Sequence, residues 1–299
     1  MKHIVKRAAA MLLTLSVLFA CLLPAVAADD YRETRPGNAF SLGPQWTEIE
    51  ISCSSGGHTL RGTMTCPKEI SEEMPVAILL HGLCTDRSWC DDMAWCLAEH
   101  GIVSVRFDYY GTGESDGEET DMSVSTELRD TVAILDYVEG LKFTDRDNIF
   151  LVGKSMGGLE ALLTADARGE EINALCLFYP ALVLPDSVRH GYLLGSTFTF
   201  DPGNLPETLA ASSYTFGRSY LSEMAALDID SIAGKCRNPV LIIHGDADYV
   251  APISYSEAVA EKYDNYTLHV MPGGGHGFGM DREYYALDDM VHFIERNLK

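Results

Sequence analysis

The chain has 299 residues, of which 46% are hydrophobic and 22% charged, and carries a formal net charge of -22. That length holds one large domain or two small ones, and the composition is that of a globular protein with ample apolar material for a core. So large an acidic excess repels phosphates, which argues against a nucleic-acid partner; it fits solubility better than a site.

Residues 1–28 read as a secretory signal peptide rather than as part of the fold. Lys2, Lys6 and Arg7 form a basic start, Ala8 to Leu23 is an apolar run, and Ala25-Val26-Ala27 supplies small residues for cleavage. The protein is therefore expected to be secreted or extracytoplasmic. The apolar run is short for a membrane span, and no other segment is long enough. A lipoprotein anchored through Cys21 is the minor alternative, since Leu18-Phe19-Ala20-Cys21 loosely resembles a lipobox, although Phe19 fits it poorly. The chain has eight cysteines, and removing Cys21 leaves an odd number. At least one thiol then stays unpaired within the chain. One or two disulfides among Cys53, Cys66, Cys84, Cys90 and Cys96 are open to an exported protein, with the pairing unassigned. Cys176, in an apolar run, is expected to be buried. No Cys-x-x-Cys pair occurs, which argues against a structural zinc site.

After a polar arm from Asp29 to Pro44, Trp46 to Cys53 and Thr59 to Cys66 read as a hairpin turning at Ser54-Ser55-Gly56-Gly57. Val76 to His81 is a wholly apolar strand of the kind covered on both faces. A helix from about Trp89 to His100 follows, then a strand from Ile102 to Asp108. A long helix from Ser123 to Leu141 places Leu128, Val132, Leu135 and Val138 at helical spacing. Ile172 to Tyr179 is another buried strand. Ala181 to Arg237 breaks the pattern with Pro185, Pro202, Pro206 and several aromatics. Such a stretch inside one domain reads as an inserted lid. Val240 to His244 (strand), Pro252 to Tyr263 (helix), Tyr266 to Met271 (strand) and Arg282 to Leu298 (helix) close the chain. The alternation predicts an α/β fold, a mainly parallel sheet with helices on both faces, in one domain over 29–299.

Chemistry concentrates on Gly153-Lys154-Ser155-Met156-Gly157-Gly158, which follows the apolar run Asn148 to Val152 and precedes a helix-like run. It fits Gly-x-Ser-x-Gly, a sharp strand-to-helix turn with the serine at its tip. A serine hydroxyl needs a general base oriented by a carboxylate. Two loops at the carboxyl ends of later strands supply them: Gly245-Asp246-Ala247-Asp248 and Gly274-Gly275-His276. The order Ser155, Asp248, His276 is the one this architecture uses. Asp248 is favoured over Asp246, which reads as a turn residue bonding local backbone. His276 is favoured over His244, which ends a buried strand. The oxyanion donors are expected to be the backbone N–H groups of Met156 and Leu83. Gly82 is expected to leave room for the carbonyl, and His81 to brace the loop. Gly111-x-Gly113 reads as a tight turn, since Asp116 stands where a dinucleotide fingerprint needs its third glycine. Lys154, beside the nucleophile, is expected to face away from it, with its role open.

These motifs, with Arg106 to Ser115, resemble the α/β-hydrolase superfamily over nearly the whole mature chain. Within it the chain is most similar to bacterial feruloyl (cinnamoyl) esterases, on its insertion and on the runs Phe200-Asp201-Pro202 and Gly217-Arg218-Ser219-Tyr220-Leu221. The resemblance implies a serine esterase working through an acyl-enzyme on hydroxycinnamoyl esters, including oligosaccharide-linked ones. It implies substrate contacts from Asp186 and Tyr220, and neither metal nor organic cofactor. Lys154 and Met156 depart from the His and Gln common in those esterases, and Leu83 from their usual aromatic. A lipase-like, peptidase or acyltransferase activity, or a non-catalytic binding role, are the alternatives.

Overall fold

The structure is a computed structural model, and it describes residues 45–299. Residues 1–28, read above as a signal peptide, Cys21 and the arm from Asp29 to Pro44 lie outside the described residues.

The chain opens with β1 (Trp46–Ser55) and β2 (His58–Pro67), paired antiparallel from Trp46 opposite Pro67 to Ser55 opposite His58. Gly56 and Gly57 join them with φ of 58° and 88°. A two-residue hairpin turn needs positive φ at both positions, which glycine adopts freely. Then come β3 (Met74–Leu80), α1 (Asp91–Glu99), β4 (Val103–Phe107), α2 (Val124–Glu139), β5 (Thr144–Lys154), α3 (Met156–Arg168) and β6 (Ala174–Phe178). The last third holds β11 (Val240–Gly245), α7 (Ile253–Ala260), β12 (Tyr266–Met271) and α8 (Met280–Arg296). These strands form one eight-stranded sheet in the order β1-β2-β4-β3-β5-β6-β11-β12. From β4 to β12 every pairing is parallel, and only β2 runs against the rest, antiparallel to both β1 and β4. The α/β expectation holds.

Strands β3 and β6 are apolar throughout because each serves two cores. On β3, Val76, Ile78 and Leu80 belong to the core shared with α2 and α3, while Ala77 and Leu79 belong to the one shared with α1 and α8. Alternate side chains of a strand point to opposite faces, so a doubly covered strand has no polar position to spare. Ser123 caps α2, accepting from the Thr126 N–H at 3.2 Å while Thr126 Oγ1 accepts from the Ser123 N–H at 2.8 Å.

The segment from Ala181 to Arg237 is more regular than its sequence suggests. It contains α4 (Leu184–Arg189), the ribbon β7 (Tyr192–Leu193) and β8 (Ser196–Thr197), the ribbon β9 (Thr208–Ala211) and β10 (Tyr214–Gly217), α5 (Arg218–Ala226) and α6 (Ile229–Ile232). Elements this short fall below the window in which periodicity can be read. Their apolar residues do not form a separate small core. Leu193, Phe216, Tyr220, Leu221 and Met224 are fully buried and continuous with the core on the α2/α3 face.

No disulfide joins the cysteines of the described residues, which corrects the one or two left open above. Cys84 packs against the core on one face of the sheet, while Cys90 and Cys96 belong to the other. In the hairpin Cys53 faces Leu60 and Cys66 faces Thr47, at separate rungs of the ladder. Cys176 is buried, as expected. Among the described residues no helix is long and apolar enough to cross a membrane.

Candidate active site

Ser155 is the single residue between β5 and α3, and its backbone is held at φ 56° and ψ -116°. A non-glycine residue rarely adopts that conformation, and it persists only where the surroundings over-determine it. Here three hydrogen bonds do so. The Ser155 N–H donates to Phe178 O at 2.9 Å, and the Ser155 carbonyl accepts from the N–H groups of Gly158 at 3.0 Å and Ala181 at 2.9 Å. The flanking glycines are sterically required. A Cβ on Gly153 would stand 2.1 Å from the Gly157 carbonyl oxygen, and one on Gly157 would stand 2.1 Å from that of Leu80.

His276 follows β12 in a glycine-rich loop. Its Nε2 lies 2.9 Å from Ser155 Oγ, and its Nδ1 lies 2.8 Å from Asp248 Oδ2. A carboxylate only accepts, so Nδ1 carries the proton and donates to Asp248, leaving Nε2 to accept from the Ser155 hydroxyl. Asp248, in the loop after β11, also accepts at Oδ1 from the N–H groups of Val250 at 2.8 Å and Ala251 at 2.9 Å. Burial pushes its carboxyl up, but hydrogen bonds from His244, His276 and the Ala251 N–H outweigh burial and hold it well below the usual carboxylate range. It is an anion wherever the protein is folded near neutrality.

The competing residues take supporting positions. Asp246 Oδ1 accepts from the Gly273 N–H at 2.6 Å, tying the Asp248 loop to the His276 loop rather than bonding its own turn. His244 Nε2 stands 2.8 Å from Ala251 O and 3.2 Å from Asp248 Oδ2, and its Nδ1 lies 2.8 Å from Ser256 Oγ. Both neighbours of Nε2 are acceptors, so His244 donates from Nε2 and accepts the Ser256 hydroxyl at Nδ1. Its place is at the end of a buried strand, as expected, and it also steadies the carboxylate.

The loop after β3 meets the elbow where Gly157 approaches the Leu80 and His81 carbonyls. Met156 opens α3, where its N–H has no intrahelical acceptor, and half-buried Leu83 lies in the turn after β3. His81 braces this loop: its Nδ1 lies 2.9 Å from Gly82 O, which also accepts from Thr85 Oγ1 at 2.7 Å. Gly82 has a different reason from the one expected. A Cβ there would stand 2.3 Å from Trp89 Cζ3, so the glycine admits the Trp89 ring. Gly111-x-Gly113 is a tight turn, both glycines having positive φ, and it wraps Asp108, whose Oδ2 accepts from the Glu114 N–H at 2.8 Å.

Asp186 and Tyr220 are not side by side in a shared hydrogen bond. Asp186, on α4, pairs with Arg189 at 2.6 Å and accepts from Tyr255 Oη at 2.8 Å. Tyr220, on α5, is fully buried, with its hydroxyl 3.5 Å from Met156 Sδ. Behind the elbow two more carboxyls are buried, Glu127 on α2 and Glu160 on α3. Burial and the Glu160 charge raise Glu127 well above the carboxylate range, and burial pushes Glu160 up to about 8.

Three residues near the site were not assigned a part by sequence. The Tyr179 ring sits edge-on to His276, 4.7 Å between centroids, and touches Phe278 at 4.9 Å. Trp89 reaches Tyr179 at 6.2 Å. Lys154 turns away from Ser155, as expected, into a buried ion cluster. The only hint at Tyr179 is its position at the carboxyl end of a central strand, where loops of such sheets carry sites. Among the described residues no group of three or more His, Cys, Asp or Glu side chains stands together as a metal site.

Residues 72–199 match the Hydrolase_4 family model, described as serine aminopeptidase S33. Est1E from Butyrivibrio proteoclasticus, solved with ferulic acid bound, is 30% identical and superposes with a TM-score of 0.77, over 83% of this chain and 98% of that one. The uncharacterized protein YfhR of Salmonella typhi is 27% identical over 297 residues, 96% of this chain and 95% of its own. The mitochondrial palmitoyl-protein thioesterase ABHD10 of Mus musculus is 30% identical over 171 residues, 54% of each chain.

Proposed function

The chain belongs to the α/β-hydrolase superfamily and is a hydrolase of the esterase and thioesterase type; from that premise we propose that it is an exported serine carboxylesterase acting on hydroxycinnamoyl esters. The observation that carries the serine mechanism is the continuous chain of hydrogen bonds from Ser155 Oγ through His276 to Asp248, at 2.9 and 2.8 Å. In this reading Ser155 Oγ attacks the ester carbonyl as His276 Nε2 takes its proton. Asp248 stabilises the imidazolium and holds the tautomer. The backbone N–H groups of Met156 and Leu83 receive the oxyanion, an arrangement in which one donor is worth about 10²–10³ in rate. His276 then returns the proton to the leaving alcohol, and water releases the acid by the same steps in reverse order.

The hydroxycinnamoyl part rests on the likeness to Est1E, whose structure holds ferulic acid, and on the insertion from Ala181 to Arg237, which acts as the lid. Asp186 and Tyr220 contact the acyl group in this reading. Tyr220 is the better supported of the two, since its hydroxyl reaches the side chain next to the nucleophile. Export rests on residues 1–28. The test is hydrolysis of methyl ferulate, short p-nitrophenyl esters, a monoacylglycerol, a palmitoyl thioester and an aminoacyl amide, each with the parent and with Ser155→Ala. The reading expects methyl ferulate to give the highest kcat/KM, abolished by the substitution. Preference for the amide or the thioester would reassign the acyl class while leaving the mechanism.

A further inference from the structure

Lys154 precedes the nucleophile, yet its side chain is only 2% exposed. A lone buried ammonium is costly, so it needs partners. Lys154 Nζ has four: the Trp89 carbonyl oxygen at 3.0 Å, Asp92 Oδ1 at 3.0 Å and Oδ2 at 3.2 Å, and Glu283 Oε1 at 3.3 Å. Asp92 belongs to α1 and Glu283 to α8, so one cation ties the end of β5 to both helices on that face of the sheet. It also lies 5.6 Å from the centroid of the Trp89 ring.

Trp89 is where this cluster meets the site. Its ring fills the space over Gly82 in the loop that carries Leu83. It also packs edge-on to Tyr179, which in turn packs edge-on to His276. The backbone and the ring of Trp89 are thus both held by Lys154, and the ring meets the Gly82 loop directly and His276 through Tyr179.

We propose that Lys154 is a positioning residue that sets, through Trp89, the oxyanion loop at Gly82-Leu83 and, through Tyr179, the His276 ring. The proposal rests on the serine-hydrolase reading above. Lys154 touches no substrate, so its loss changes kcat rather than KM.

The experiment compares the parent with Lys154→Met, which keeps the chain length without the charge, on a short p-nitrophenyl ester and with a fluorophosphonate probe. Thermal unfolding is recorded, and rates are taken well below the transition. The expected result is a kcat at least tenfold lower, KM within about threefold, and the rate of Ser155 labelling reduced in parallel with kcat. A merely structural lysine would lower the unfolding temperature and leave all three unchanged in the folded protein, which overturns the proposal. Should Lys154→Met not fold, Asp92→Asn takes its place, because that carboxylate is about one-third exposed and tolerates the change. Its expected result is the same split with a smaller drop in kcat, and unchanged kcat overturns the proposal. If the parent itself shows neither turnover nor labelling, the serine-hydrolase reading has failed, a result distinct from either outcome at Lys154.

Discussion

His276 Nε2 lies 2.9 Å from Ser155 Oγ although 121 residues separate them in the chain. The contact closes because β5 and β12 end on the same edge of a parallel sheet, with β6 and β11 between them. The intervening loops are fastened to one another. The Ser155 N–H is held by Phe178 O, that of Tyr179 by Ile243 O, and that of Ala247 by Gly274 O. Each bond fixes one strand end to the next, so the loops that carry Ser155, Asp248 and His276 are set relative to one another.

Removing the orienting acid tests that arrangement. Asp248→Asn is expected to lower kcat about 10⁴-fold, the size of effect found where such an aspartate is neutralised in serine hydrolases. It also tests the electrostatics. The folded-state value of Asp248 is depressed, so its stabilising contribution is complete above the unfolded value of about 3.9 and is lost as pH falls through the folded one. The unfolding temperatures of parent and Asp248→Asn should therefore differ most near neutrality and converge in strong acid. A gap that widens in acid would contradict the assignment.

The strain at Ser155 predicts a trade of activity against stability. Glycine adopts φ 56° without a Cβ penalty. Ser155→Gly should gain about 1 kcal/mol of stability, read as a raised denaturant midpoint, and lose ester hydrolysis altogether.

Gly82→Ala places a methyl group against the Trp89 ring. Overpacking of this kind costs about 1–3 kcal/mol. Because the displaced ring borders the Leu83 loop, kcat should also fall by about tenfold, one displaced oxyanion donor being worth that or more. Kinetics and thermal unfolding of the one variant check both.

The buried carboxyls behind the elbow predict a pH-dependent gain. Glu160 is raised above its unfolded value, so the folded protein bears no penalty below about pH 4.5, a growing one as pH rises, and the full one above about 8. Glu160→Gln should match the parent near pH 4 and exceed its unfolding temperature increasingly toward pH 8. A gain largest in acid would have the wrong sign.

Much of this was legible in the sequence. Runs such as Val76 to Leu80 are apolar at every position because both faces are covered, and that pattern gives the parallel sheet directly. Gly153, Gly157 and Gly245 mark backbone that must pass close to other backbone, so the meeting of Ser155, Asp248 and His276 could be read from their loops. The 181–237 segment could not, because its ribbons are two to four residues long and its apolar residues belong to a core built mostly by other elements. The parts played by Trp89, Tyr179 and Lys154 were equally hidden. An aromatic or a lysine carries no local sign of which ring or carboxylate it will meet across the fold.

The site of covalent attack decides whether Ser155 is the nucleophile. The protein is treated with a fluorophosphonate, digested, and the modified residue located by mass spectrometry, with Ser155→Ala treated in parallel. One adduct is expected, on Ser155, formed far more slowly in His276→Ala and absent from Ser155→Ala, with ester hydrolysis lost in step. Unlabelled Ser155 in a protein that still hydrolyses esters, or undiminished hydrolysis by Ser155→Ala, would contradict it.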